Sequence, residues 1–290
     1  MNTVDKKSPN YEAIKYQDII ECKHVSIETL KKDYSNIKKN INPHSFAGNK
    51  IIYHYQFKEL LSTNRSKSIT LESIFQNEDK KKYWINQTIK MDRRKKLDYI
   101  APVDIFECYR RCKGSVNTFK SCSMKHIIEK FNGTSVLDPT AGWGGRLLGT
   151  ASLGLPYTGI DTNINLKEGY DQMVQDLDIT NTNMIFSNCL NVDFSQIDYD
   201  IVITSPPYFN LEEYNHMTPF ESNEKYYTEF LIPLIKKCKM DINNNGKVCI
   251  NISDYMYNDY LKFGGSPCLE FFTLKQQMGG KKNKEFVYVF

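Results

Sequence analysis

Between Ser135 and Phe290, short apolar runs alternate with stretches of helical spacing. The runs at Ser135–Asp138, Tyr157–Asp161, Met184–Phe186, Tyr199–Ile203 and Lys247–Ile252 predict five strands, and Phe271–Gln276 and Phe286–Phe290 can supply two more. Helices are expected at Ser123–Phe131, Leu147–Leu153, Leu166–Leu177 and Tyr226–Lys239, the last interrupted by Pro233. The run at Tyr199–Ile203 shows no polar alternation, as expected of a strand buried on both faces. Strand–helix alternation predicts an α/β fold: a Rossmann-like, doubly wound, mostly parallel seven-stranded sheet.

The first 112 residues read differently. Tyr16–Lys39 carries apolar residues at Ile19, Ile20, Val25, Ile27, Leu30, Tyr34 and Ile37, close to helical spacing, until Asn42-Pro43 and Gly48-Asn49 break it. Residues 51–61 and 68–75 are ambiguous, and a basic helix is expected over about 78–100, before Pro102. The expected division is a mainly helical region, 1–112, followed by the sheet domain, 113–290.

Composition narrows the classes. The 290 residues are 40% apolar and 13% aromatic, too rich in both for a disordered chain. No stretch approaches a membrane span and no signal peptide opens the chain, so a soluble intracellular protein is expected, cytoplasmic or nuclear. The eight cysteines are scattered. Cys108, Cys112 and Cys122, with His126 as the nearest fourth ligand, form the one candidate metal cluster, and reduced thiols are the favoured reading. No metal is expected.

The net charge of +4 conceals an asymmetry: residues 1–133 carry 26 Lys and Arg against 15 Asp and Glu, and the remainder is net negative. Such a split points to a polyanionic partner. Arg93, Arg94, Lys95 and Lys96, together with Arg110 and Arg111, are the candidate nucleic-acid contacts. Tyr83, Trp84, Tyr99 and Tyr109 are interleaved with the basic runs, where they either stack bases or turn inward as core.

The chemistry gathers at strand ends, where doubly wound sheets bind ligands. Asp138 is followed by Pro139, Thr140, Ala141, Gly142, Trp143, Gly144 and Gly145. This loop is neither the dinucleotide G-x-G-x-x-G nor a phosphate loop, which needs a lysine, so NAD and ATP are disfavoured. Asp161 closes the next strand, where a carboxylate takes ribose hydroxyls or caps a helix. Ser205-Pro206-Pro207-Tyr208-Phe209 ends the fourth strand, and its two prolines hold the neighbouring carbonyls rigidly.

Together these residues resemble class I S-adenosylmethionine-dependent methyltransferases that modify exocyclic amino nitrogens of nucleic-acid bases. Ser205, Pro206, Pro207 and Tyr208 match the family's catalytic tetrapeptide, and Asp138, Thr140, Ala141, Gly142, Trp143 and Gly144 resemble its cofactor loop. Asp161 matches the ribose-binding acid. Asn117 and Phe119 lie where the family cups the methionine end of the cofactor, and Asn188 stands where an acid often contacts adenine. The resemblance covers roughly residues 113–290, in a gamma-like motif order. It implies S-adenosylmethionine as cofactor and a flipped-out target base, with Tyr208 stacked on it and Phe209 as a second wall or as core. It favours DNA over RNA, and cytosine N4 slightly over adenine N6. The tetrapeptide also serves RNA bases and glutamine amides, which are the alternative substrates, and a non-catalytic nucleic-acid-binding subunit of a methyltransferase complex is the other alternative reading. Few residues remain for target recognition, so that role falls to the basic N-terminal half, the loop at 209–223 or a protein partner.

Overall fold

The computed structural model describes residues 2–65, 69–92, 97–113, 118–209, 212–213, 219–243, 245–274 and 285–290. The chain forms two compact units, each discontinuous in sequence. The smaller is Met1–Val25, Tyr53–Asn117 and Asn210–Asn215, and the larger is Ser26–Ile52, Thr118–Phe209 and His216–Phe290.

The larger unit is built on strands β1 (Val136–Asp138), β2 (Tyr157–Asp161), β3 (Thr182–Phe186), β4 (Ile201–Thr204), β5 (Lys247–Ser253), β6 (Glu270–Phe272) and β7 (Glu285–Val289), in the order β6-β7-β5-β4-β1-β2-β3. Pairing is parallel from β3 across to β5, whereas β7 runs antiparallel to both β5 and β6. This is the Rossmann-like, doubly wound, mostly parallel seven-stranded sheet that the apolar runs predict. Every residue of β1 and β4 is buried, which explains their lack of polar alternation. Leu137, Ile160, Val202, Val248 and Ile250 form the core with Tyr226, Tyr227 and Leu231. Strand order reverses between β1 and β4, so their carboxyl ends border the crevice where such sheets bind ligands.

Helices α1 (Ser121–Phe131), α2 (Gly145–Ala151) and α3 (Lys167–Asp176) serve this crevice. α2 presents two glycines to its neighbours. A Cβ on Gly145 would strike the Phe119 carbonyl, and one on Gly149 would strike the Ser121 carbonyl and come within 2.6 Å of Met124 Cβ. Gly149→Ala is therefore expected to destabilise the protein by about 1–3 kcal/mol, the usual cost of overpacking. A shift in urea midpoint checks this, and an unchanged midpoint would mean that α1 gives way freely.

Residues 223–240 form one continuous helix instead of two pieces broken at Pro233. It opens into a wide π turn over Tyr226–Leu231, just before Pro233 in the first turn of Ile232–Met240. A proline cannot donate the usual backbone hydrogen bond, and a locally widened ladder accommodates it.

The smaller unit is mainly helical, as expected. Its helices include Tyr16–Glu21, Leu71–Phe75, Glu78–Met91 and Pro102–Lys113, and its core includes Ile19, Phe57, Leu71, Ile105 and Phe106. Two short antiparallel pairings complete it, Val4–Asp5 with Tyr99–Ile100 and Asn64–Arg65 with Glu212–Glu213.

Several expectations are corrected here. Tyr16–Lys39 is two helices, because Ser26 caps the second, Ile27–Lys39, through its hydroxyl and the Thr29 N–H. Ser26–Ile52 belongs to the sheet unit, where buried Asp33 accepts the Gly48 and Lys50 N–H groups at 3.0 and 3.1 Å. The basic helix stops at Met91, and Tyr99–Ile100 is extended. Pro102 opens a helix, where its missing N–H costs nothing. Trp84 and Tyr109 are core residues whose rings lie 5.8 Å apart, while Tyr83 and Tyr99 are exposed. No helix among the described residues is long and apolar enough to cross a membrane.

Candidate functional site

Asp138 is fully buried at the end of β1. Its Oδ2 accepts from Arg146 Nε at 2.6 Å and from the Tyr157 hydroxyl at 2.8 Å, and its Oδ1 accepts from Thr204 Oγ1 at 2.8 Å. Arg146 also donates to the Thr140 carbonyl, and the Thr140 and Thr204 hydroxyls lie 2.6 Å apart. One carboxylate thus ties the loop after β1 to α2, to β2 and to the last residue before Ser205. This corrects the expectation that Asp138 faces a ligand: its oxygens are engaged inside the protein.

Burial opposes the Arg146 charge, yet Asp138 and the neighbouring phenols more than offset it, so the guanidinium pKa lies above its ordinary value. Burial, reinforced by the Asp138 charge, holds the Tyr157 hydroxyl protonated and donating.

Above this anchor the loop takes a conformation suited to glycine. Gly142 has φ +61° and Gly144 φ +89°, both left-handed. The Gly142 N–H donates to Asp161 Oδ2 at 2.7 Å, and the Gly142 carbonyl accepts from the Tyr170 hydroxyl at 2.8 Å. Ala141 and Trp143 are buried. Asp161 is half-buried, and its Oδ1 accepts the Asn163 N–H at 2.9 Å. The cap of the following turn is Asn163, which accepts from the Asn165 N–H, and not Asp161.

Phe119 approaches the same loop. Its carbonyl lies against Gly145, and the Arg146 guanidinium carbon stands 5.2 Å from its ring centroid. Asn117 lies outside the described residues. Asn188, exposed after β3, accepts the Leu190 N–H through Oδ1 and caps a short turn.

The Ser-Pro-Pro-Tyr turn follows β4 directly. The Ser205 hydroxyl donates to the Asn251 carbonyl at 3.1 Å, which directs its proton toward β5 and leaves its lone pairs to accept. Pro206 is buried. The Pro207 carbonyl accepts from the Tyr226 hydroxyl at 2.7 Å, and burial pushes that phenol's pKa well up, so it stays a donor. Tyr208 and Phe209 are half-buried against the core. The Tyr208 hydroxyl lies 3.4 Å from Glu285 Oε1, and the Phe209 ring packs 5.8 Å from that of Tyr226, as a core residue would.

The candidate nucleic-acid contacts divide differently. Arg93, Arg94, Lys95 and Lys96 lie outside the described residues. Arg110 and Arg111 are exposed on the helix Pro102–Lys113 of the smaller unit, where Glu107 pairs with Arg110 at 2.7 Å. Cys108 and Cys112 both approach the Met91 sulfur at 3.8 Å. Among the described residues, no group of three His, Cys, Asp or Glu is placed to hold a metal.

Sequence reasoning missed the roles of Arg146, Tyr170, Tyr226 and Asn251. Only Arg146 left a signal. A cation in the first turn of an otherwise apolar helix opposes the helix dipole and calls for a nearby acid.

No protein-family model matches the chain. It is similar to a tRNA (guanine(10)-N2)-dimethyltransferase of Methanothermobacter thermautotrophicus, 27% identical over 124 residues, which are 43% of this chain and 34% of the relative. The chain thus spans about a third of the length of that curated relative. Among solved structures, an rRNA methylase from Streptococcus thermophilus covers 60% of this chain and 97% of its own at 16% identity, with a TM-score of 0.41. TrmN from Thermus thermophilus covers 58% of this chain and 48% of its own at 15% identity, with a TM-score of 0.40.

Proposed function

We propose that this protein transfers a methyl group from S-adenosylmethionine to an exocyclic amino nitrogen of an RNA base. The observation that carries the proposal is the junction of the glycine loop and the Ser-Pro-Pro-Tyr turn at adjacent strand ends, joined through Asp138, Thr140 and Thr204. A cofactor site and a target site side by side are what a group transfer requires.

The residues fit the cofactor. Two glycines in left-handed conformation bring backbone to the crevice, and Asp161, which accepts the Gly142 and Asn163 N–H groups, closes the next strand, where a carboxylate takes ribose hydroxyls. When bound, the cofactor supplies an electrophilic sulfonium methyl. Phe119, the loop residues 140–144 and Asn188 would hold it.

The turn acts on the base. An amino nitrogen conjugated with its ring is a poor nucleophile. Hydrogen bonds from its two N–H groups to Ser205 Oγ and the Pro206 carbonyl favour a pyramidal nitrogen with its lone pair aimed at the methyl. Tyr208 stacks on the base, which is unpaired or flipped out. The N–C bond forms as the S–CH3 bond breaks, with the electron pair left on sulfur in the neutral demethylated cofactor, and the methylated nitrogen then releases its proton to solvent.

The sequence alone leaned toward DNA. The preference moves to RNA because the curated relative is named for a tRNA guanine N2 activity, which is also methylation of an exocyclic amino group. Labelled cofactor offered in parallel with tRNA, rRNA, duplex DNA and protein tests this. Label is expected in RNA, and label confined to DNA or protein would overturn it.

Asp161→Ala is expected to weaken cofactor binding by about 1–3 kcal/mol through two lost ribose hydrogen bonds. Isothermal titration checks this, and unchanged affinity would remove Asp161 from the site.

A further inference from the structure

The segment Ser26–Ile52 carries five lysines against two acids and packs within the sheet unit. Its loop at residues 40–48 is fastened at several points. The Lys120 ammonium donates to the His44 carbonyl at 2.6 Å, Ser123 Oγ to the Pro43 carbonyl at 2.7 Å, and Lys125 to the Lys38 carbonyl at 2.8 Å. Asn40 Nδ2 donates to Ser45 Oγ at 2.9 Å. On this fastened loop Phe46 is 69% exposed and Ile41 is 92% exposed. The Lys120 ammonium stands 4.0 Å from the Phe46 ring centroid. Lys39 and Lys50 are exposed on either side of the loop in sequence. Lys120 directly follows Phe119, whose carbonyl lies against the glycine-loop helix.

A large aromatic ring held out of the core on a rigid loop, beside one ammonium and flanked by others, matches the chemistry of single-stranded nucleic acid. The ring offers a π face for an unpaired base, and the lysines neutralise phosphates. We propose that Phe46 and Lys120 form a stacking platform for an unpaired base of the RNA substrate, with Lys39 and Lys50 meeting its phosphates. This inference rests on the RNA-methylating function proposed above. It places RNA contacts on the sheet unit itself.

The test uses the full chain, a fluorescently labelled unstructured oligoribonucleotide and bulk tRNA. Phe46→Ala should weaken oligoribonucleotide binding roughly 5- to 150-fold, the range for one lost base stack. Phe46→Trp should retain affinity. The Lys39→Gln/Lys50→Gln double variant should flatten the salt dependence of binding. All three should leave S-adenosylmethionine affinity and thermal stability unchanged, and Phe46→Ala should raise KM for RNA with kcat preserved. RNA affinity and KM unchanged in Phe46→Ala would overturn the platform, even if RNA is methylated. Lost RNA binding in that variant, from a wild type that methylates no RNA, would instead uphold the platform and refute the proposed reaction. A wild type that binds only protein through this loop would also overturn the platform.

Discussion

Tyr208→Ala is expected to bind S-adenosylmethionine like the wild type and to lose most methyl transfer. The division follows from the architecture: the glycine loop follows β1 and Asp161 closes β2, whereas Tyr208 follows β4. Losing a base–aromatic stack removes about 1–3 kcal/mol. Losing alignment of a nitrogen whose lone pair must point at the methyl adds to the barrier. Tyr208 also packs partly against the core, so Tyr208→Phe is the informative companion. It keeps the ring and gives up the 3.4 Å contact of the hydroxyl with Glu285, and it should retain most activity. Full activity in Tyr208→Ala would remove the stacking role, and lost cofactor affinity would mean that the two half-sites are not separable.

The second large effect concerns stability. Arg146→Met removes the cation that, among the described residues, is hydrogen-bonded to Asp138, which has no solvent exposure. Breaking a buried pair from one side costs about 3–5 kcal/mol because the remaining charge is uncompensated. Against a typical domain stability of about 5–15 kcal/mol, that is a major loss. Tyr157 and Thr204 still donate to Asp138, so the lower end of the range is expected. Adding Asp138→Asn should recover part of the loss by removing the orphaned charge. Urea unfolding of the single and double variants measures both, and a loss under about 1 kcal/mol in Arg146→Met would show that the pair is expendable.

What the sequence made legible follows from local physics. β4 is buried on both faces, so its composition announced it, and the glycine and proline motifs lie at strand ends because chain order alone puts them there. The helices of the smaller unit were harder. Ser26 interrupts a run whose apolar spacing continues through it, and a cap acts over three residues where periodicity is read over many. Pro102 and Pro233 looked like stops, but a first helical turn tolerates the first and a π turn precedes the second. The role of Asp138 was illegible for another reason. Its partners Arg146, Tyr157 and Thr204 come from three other elements, and only folding brings them together. Tyr170 and Tyr226 were read as helix residues, which they are, while their hydroxyls hold the carbonyls of Gly142 and Pro207. Burial of an aromatic ring is predictable from composition, but the destination of its hydroxyl is not.

The role proposed for the rigid turn at Ser205–Tyr208 is to activate an exocyclic amino nitrogen of an RNA base. The most direct measurement is to methylate RNA with isotopically labelled S-adenosylmethionine, digest it to nucleosides and identify the labelled product by mass spectrometry. The expected product is a nucleoside methylated on an exocyclic nitrogen, formed by the wild type and lost in Tyr208→Ala. A label on a ring carbon or on a ribose oxygen, from the wild type, would contradict it.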